Sequence, residues 1–369
     1  MDKKTYLDYN ATAPTRPEVI AIINECLSAP HNASAVHSFG REGRKIVECA
    51  REKIAALVGV PPAQIIFNSG ATEGNNTVLR HFTKERVLVS AIEHPSVLET
   101  VPKSDRIPTT PEGVLDLETF EILLKAEKTA LVSVMLANNE TGIIQPVKEA
   151  AALAHKHGAL FHCDAVQAAG RIPIDMAALG IDFFTLSAHK IGGPQGIGAL
   201  ALGICGITPT LLHGGGQEKS ARAGTENVAG IAGFGIAAEL AQDGIQDYQN
   251  KTRALQTKLE TTLKNIKIYG KNAPRVANTT LFSQPGVSSE TLLIALDLEG
   301  VAVSNGSACS SGRVQPSHVL KAMGVSDEET TSAIRISTGW NTTQNDIDRF
   351  IKVWQNITSR IQKKAQDRA

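Results

Sequence analysis

Lys190 stands in SAHK, after the apolar run DFFTL and before the glycine-rich IGGPQGIG. A lysine in a sheltered, glycine-rich place can shed its proton and form a Schiff base; its plainer use is a solvated surface charge. Asp164 and Gln167, in DAVQ, could face a protonated ring nitrogen and a ring oxygen, although an aspartate after a strand also serves as a helix N-cap. His94, in EHPS, could stack on a flat ring or shuttle a proton, or be satisfied by its neighbours at a strand end. SGATEGNN, Ser69 to Asn76, puts small residues at the start of a helical pattern, where backbone amides favour an anion. It has neither GxGxxG nor Walker spacing, which argues against nicotinamide and nucleoside triphosphate; an ordinary strand-to-helix turn is the alternative. Asn139, in NNETG, adds an amide or a turn residue.

Arg335 sits inside the apolar run SAIRIST and needs an anion. A substrate carboxylate would serve bidentately, and so would an internal salt bridge. HGGGQEKSARAGTEN, His213 to Asn227, could close over a phosphate from the side or from a second subunit, or be a surface loop. SNGSACSSG, Ser304 to Gly312, sets Cys309 among small polar residues that suit neither core nor regular structure. Such a thiol is either a nucleophile on a segment made to move or an incidental exposed cysteine. As a set, these are the parts of a pyridoxal phosphate enzyme: phosphate cradle, ring stacker, ring-nitrogen carboxylate, Schiff-base lysine and carboxylate-binding arginine. A carboxylate at the ring nitrogen keeps it protonated, so the ring can take up the electrons of a substrate carbanion.

Positioning these groups requires a scaffold, and the pattern supplies one. Ile65–Phe67, Val87–Ile92, Ala130–Leu136, Ala159–Cys163, Asp182–Leu186 and Gly198–Leu202 read as strands, with amphipathic stretches such as Arg41–Val58 and Val147–His157 between them. That alternation predicts a parallel sheet covered on both faces, whose ligands bind beyond the carboxyl ends of the strands. The polar stretches above follow such ends. From about Asp243 the texture changes to a long charged helix, Asp243–Ile266. A strand at Asn278–Phe282, a helix at Ser289–Leu298, a strand at Val301–Ser304 and a final helix at Gln344–Lys364 follow, an α+β arrangement.

The chain has 369 residues with 37 basic and 37 acidic side chains, which argues against nucleic acid as the main partner. MDKKTYLDYN carries no apolar stretch, so no signal or transit peptide is expected, and no run suggests a membrane span. Five widely spaced cysteines without CxxC suggest neither a disulfide framework nor a zinc site. A reducing cytoplasm fits.

From YLDYNATAP near Tyr6 to SAIRISTG near Gly339 the chain resembles the cysteine desulfurases of the iron–sulfur-cluster and nitrogen-fixation type, within the class V aminotransferase superfamily. SGATEGNN, SAHKIGGPQGIGAL, HGGGQEKSARAGTEN and SNGSACSSG occur in that family's order. The resemblance implies a fold-type I pyridoxal 5'-phosphate-dependent transferase. Its large domain, residues 14–243, would hold a mostly parallel seven-stranded sheet flanked by helices. Residues 1–13 and 244–369 would form a smaller α+β domain carrying the Cys309 loop. Lys190 would be the Schiff-base lysine, Asp164 and Gln167 the partners of ring nitrogen and hydroxyl, and His94 the stacking acid–base group. Ala71, Thr72, Ser187 and His189 would contact the cofactor phosphate, joined by Thr225 from the other subunit of a homodimer. Asn139 and Arg335 would hold the substrate, with Asn139 also near the cofactor. L-cysteine would exchange onto the cofactor, Lys190 would move its α-proton, and the Cys309 thiolate would take the sulfur as a persulfide, releasing alanine. The sulfur would then pass to an acceptor such as a cluster scaffold or a thiolation factor. No resident metal is implied, although Cys309 could ligate a cluster in passing.

Some positions depart from the family pattern. Ala33 replaces the usual proline in NASAVH, and Asn305 stands where a small hydroxyl residue is commoner. The segment from Leu79 to Val87 is short, and the chain ends soon after its last helix, in RIQKKAQDRA, which puts docking of the usual scaffold in question. Rival readings are a selenocysteine lyase, an aminotransferase with no use for Cys309, and a non-catalytic sulfur-relay subunit.

Overall fold

A computed structural model of the chain describes residues 4–284, 286–306 and 316–366. In chain order the strands are β1 Thr5–Tyr6, β2 Ile65–Asn68, β3 Val87–Ser90, β4 Asp105–Ile107, β5 Leu131–Ser133, β6 Leu160–Asp164, β7 Phe183–Ser187, β8 Gly198–Leu202, β9 Lys267–Ile268, β10 Thr279–Ser283, β11 Val301–Ala302 and β12 Ala333–Ser337.

Seven of them form one sheet in the order β2-β8-β7-β6-β5-β3-β4. From β7 to β4 every neighbouring pair is parallel, and β8 alone runs against its neighbours. β2, β3, β5, β7 and β8 are buried along their whole length. Their continuous Val/Ile/Leu/Phe runs are what a sheet covered on both faces demands. Helices such as Ser38–Val58 and Val147–Lys156 cover it, with Val47, Ile54, Phe161 and Phe184 in the main core. The expected seven-stranded, mostly parallel sheet is therefore present.

A second apolar cluster joins Leu7, Leu292, Phe350 and Trp354. Around it lie the sheet β12-β10-β9 and the parallel pair β1-β11. The N-terminal segment thus leaves β1 beside β11, crosses to Ser337 on β12 and continues over the end of the main sheet. Ser304 and Arg335 exchange backbone hydrogen bonds, so the chain entering the Cys309 segment is tied to β12.

Two elements escaped the sequence reading, the helix Val228–Asp243 and the edge strand β4. The helix expected at Asp243–Ile266 is present as Ile245–Thr262 and meets Val228–Asp243 at Gly244. Val228–Asp243 is packed on nearly all sides by small and apolar residues, so it shows no amphipathic period to read. The edge strand β4, DRI, is too short and too charged to register as a strand. No described helix is long and apolar enough to cross a membrane.

Candidate active site

β2, β3, β5, β6 and β7 all point their carboxyl ends toward one cleft of about 860 Å³. After β2 the chain turns through Gly70, whose φ of 141° is open to glycine but strained for other residues. The helix Ala71–His81 starts there. Its first amides have no partner within the helix, and Ala71 and Thr72 line the cleft. Ser187 closes β7, His189 and Lys190 follow it, and all three line the cleft.

Lys190 is not the solvated surface lysine that its type usually makes. Its Nζ donates to the carbonyls of Asn10 and Ala11, both at 2.6 Å. Burial pushes its amine down to about 7, and the cations Arg171 and Arg335 push the same way against Asp8 and Asp164. His189 accompanies it, with Nδ1 3.1 Å from Thr12 Oγ1, and burial, with the cations Lys190 and Arg171, pushes its imidazole down to about 4.

Asp164 closes β6. Its Oδ2 accepts from Asn75 Nδ2 at 2.8 Å and its Oδ1 from the Val166 amide at 3.0 Å. It caps a turn, not a helix, and it lines the cleft. Gln167 donates from Nε2 to the Asn10 carbonyl at 3.0 Å. His94 caps the short helix Pro95–Leu98: Nδ1 accepts from the Ser96 amide at 3.1 Å. That acceptor role leaves Nε2 as the protonated nitrogen of the neutral ring. Burial lowers the His94 pKa; Asp164 opposes this and Lys190 and His318 reinforce it.

Arg335, on β12, pairs with Asp8 at 2.6 Å and donates to the Asn139 carbonyl at 2.8 Å. Its Nε, the Asn139 Oδ1 and the Gln167 Oε1 are buried without a partner among the described residues. Such orphans cost free energy unless a ligand satisfies them, and three of them around one cleft fit a polar, planar guest. The cofactor expected from the sequence meets that test: amides for a phosphate, a carboxylate for a ring nitrogen, a depressed lysine for a carbonyl carbon.

Two expected residues stand apart. Thr225 lines a neighbouring cavity of about 160 Å³, which shares Ser69 and Gly196 with the main cleft. Cys309 lies outside the described residues. The residues leading to it, Ser304, Asn305 and Gly306, line the cleft. On the far side, Ser317 Oγ donates to Glu140 Oε2 at 2.5 Å, and the same oxygen lies 3.0 Å from where a Cβ on Gly306 would sit. His318 Nε2 lies 2.9 Å from the Glu93 carbonyl.

Asp8, Asn10 and Arg171 are site residues that the motifs alone leave without a role. Asn10 is the hub. Its carbonyl accepts from Lys190 and Gln167, its Oδ1 from Arg171 and Asn278, and its Nδ2 donates to the Asn139 carbonyl and to Thr279. The only signal would have been polar side chains, Asp8 and Asn10, in a segment otherwise apolar enough to be buried.

Residues 5–350 match the family model described as Aminotransferase class-V. The chain is 39% identical to a protein of Dictyoglomus turgidum named cysteine desulfurase IscS, over 98% of this chain and 96% of that one. It superposes on the structure of a NifS-like protein from Rickettsia africae with a TM-score of 0.91 at 39% identity, covering 97% of this chain and all (100%) of the other. A structure titled SspA in complex with cysteine gives a TM-score of 0.80 at 28% identity, over 91% of this chain and 99% of that one. Class V aminotransferases and cysteine desulfurases depend on pyridoxal phosphate. The chain belongs to the class-V aminotransferase family and, within it, to the cysteine desulfurases.

Proposed function

We propose that this chain takes sulfur from L-cysteine, releasing L-alanine and keeping the sulfur as a persulfide on Cys309. The observation that carries the reading is the meeting of Lys190, Asp164 and His94 around one cleft with unsatisfied polar atoms. Pyridoxal 5'-phosphate, when bound, supplies a carbonyl for amines and a ring that accepts an electron pair.

The remaining work falls to the chain. The helix start at Ala71 and Thr72, with Ser187 and His189, would hold the phosphate. Thr225 would reach it from a second copy, making a homodimer the working form. Asp164, fixed by Asn75 and Val166, would keep a ring nitrogen protonated. Gln167 has a second N–H to give a ring oxygen. His94 would stack on the ring and carry a proton at Nε2.

Lys190, released by the incoming amine, would act as base on the substrate α-carbon; an amine that titrates near 7 is suited to accept and return that proton. Arg335 and Asn139 would hold the substrate carboxylate, with the free Nε adding a donor. The Cys309 thiolate then attacks the substrate sulfur. An S–S bond forms, the C–S bond breaks, and its electron pair stays with the carbon fragment until protonation yields alanine. The persulfide would pass to a sulfur-acceptor protein, for cluster assembly or thio-modification. Residues 14–243 would form the cofactor domain, and 1–13 with 244–369 the domain that carries Cys309.

Borohydride reduction of the purified yellow protein, followed by peptide mapping, tests the site. A phosphopyridoxyl mass on Lys190 is the expected result; the tag on any other lysine removes Lys190 from this role.

A further inference from the structure

Behind Lys190, on the side away from the cleft, lies a second charge. Arg171 is 3% exposed, yet it touches no carboxylate among the described residues. NH1 donates to Asn10 Oδ1 at 2.8 Å, while Nε and NH2 have no partner there. Arg171 and Lys190 both line a cavity of about 20 Å³, walled also by Tyr9, Arg16, Tyr248 and Trp340. That volume has room for about one water molecule, a dipole and not a counter-ion. Tyr248 is no counter-ion either, since burial raises its phenol and keeps it neutral.

An uncompensated buried cation is costly and is usually paired. A guanidinium cannot escape that cost by losing its proton. The pressure therefore falls on a neighbouring group that can, and the hydrogen-bond hub links Arg171 to Lys190. Asn10 receives Arg171 on its side chain and Lys190 on its carbonyl.

Arg335, Asp8 and Asp164 also act on Lys190, one cation against two anions. Arg335 is held by Asp8. Asp164 is fixed by two N–H donors, and the proposed function commits it to a ring nitrogen. His94 and His189 are both pushed toward their neutral forms by burial. Of the two cations acting on Lys190, Arg171 is the one that no carboxylate holds among the described residues.

We propose that Arg171 is a positioning residue for Lys190: fixed on Asn10 and without a counter-ion, it disfavours a second cation there and holds the Lys190 amine in its uncharged form. The use of that amine rests on the proposed function, but its protonation does not, so the two are separable. A neutral amine has two N–H bonds, and the Asn10 and Ala11 carbonyls accept two. The pair of carbonyls thus fits the free base without requiring a third donor.

The test uses the full-length protein freed of cofactor and a small amine reagent, cyanate. Peptide mass spectrometry follows the fraction of Lys190 carbamoylated across the pH range. Wild type, Arg171→Lys, Arg171→Met and Arg171→Gln are compared, with folding checked by circular dichroism. Gln keeps a donor for Asn10 Oδ1 and covers the case in which Met does not fold. The expected midpoint for wild type and Arg171→Lys is near 7. In the uncharged variants it moves up by ~1 pH unit or more, which is about fivefold less reactive, uncharged amine at the wild-type midpoint. A folded Gln variant with the wild-type midpoint overturns the proposal. So does a Lys variant displaced as far as Gln, because the effect would then be shape and not charge. Borohydride tagging reports separately whether Lys190 is the cofactor lysine.

Discussion

Replacing Glu218 with alanine removes the anchor of the His213–Asn227 segment. Glu218 is buried and grips Arg51 with both oxygens at 2.8 Å; Oε2 also accepts from the Phe67 amide at 2.8 Å. Around it Glu218, Lys219 and Ser220 hold φ values of 46°, 57° and 67°. Three consecutive residues of this kind persist only if something fixes them. Without the carboxylate, Arg51 keeps the Ile65 carbonyl and the half-exposed Glu48, so its loss falls at the low end of the range for a broken buried pair, about 3 kcal/mol. The stranded Phe67 amide adds about 1 kcal/mol. Relaxation of the backbone returns about 1 to 3 kcal/mol. The net is about 2 kcal/mol, roughly a 30-fold shift in the folding equilibrium.

Urea unfolding of the loaded protein, followed by the fluorescence of Trp340 and Trp354, reads this directly. Glu218→Gln keeps an acceptor for Phe67 and should lose about half as much. Because Thr225 follows on the same segment, Glu218→Ala should also release cofactor faster on dialysis. A loss under about 0.5 kcal/mol, with unchanged cofactor retention, would refute the idea that this ion pair fixes the segment.

Two further outcomes follow from buried groups at the site. The Lys190 amine titrates near 7 in the folded chain and at about 10.4 in the unfolded one. Between these values the unfolded chain binds a proton that the folded chain has released, so this group's contribution to stability grows as pH rises through that window and is level below it. Cofactor-free wild type should therefore gain on Lys190→Met between pH 7 and about pH 9, and a difference that stays flat with pH contradicts the assignment. Glu140→Ala takes away the acceptor of the buried Ser317 O–H and frees the flank of the Cys309 segment; the expectation is ~1–3 kcal/mol lower stability and a lower kcat with KM for L-cysteine little changed. Wild-type kcat in this variant would show that Glu140 has no part in positioning.

Much of the site was legible because open α/β sheets collect ligands at strand ends. His94, Asn139, Asp164 and Lys190 each follow an apolar run, and the run itself announces the strand. The same rule found β8 to the residue, since Gly198–Leu202 is a short apolar run with no competing pattern. Asn10 and Arg171 were hidden for a different reason. Their importance comes from meeting each other, Lys190 and Thr279 across the fold, and no local period encodes a contact between distant segments. The helix Val228–Asp243 was missed because alternation of Gly, Ala and Ile carries no polar face. Arg335 was readable as a buried cation needing an anion, but its partner Asp8 was not, for β1 and β12 are joined only through the tertiary fold.

The central claim is that Cys309 takes the sulfur that Lys190 and the cofactor loosen. The most direct measurement incubates purified protein with L-cysteine and a thiol reductant, follows alanine and sulfide together, and repeats the assay with Cys309→Ala. The account predicts equal amounts of both products from wild type and neither from the variant, with the cofactor absorbance intact in both. Equal turnover by the two proteins, or none by wild type with its cofactor bound, would contradict it.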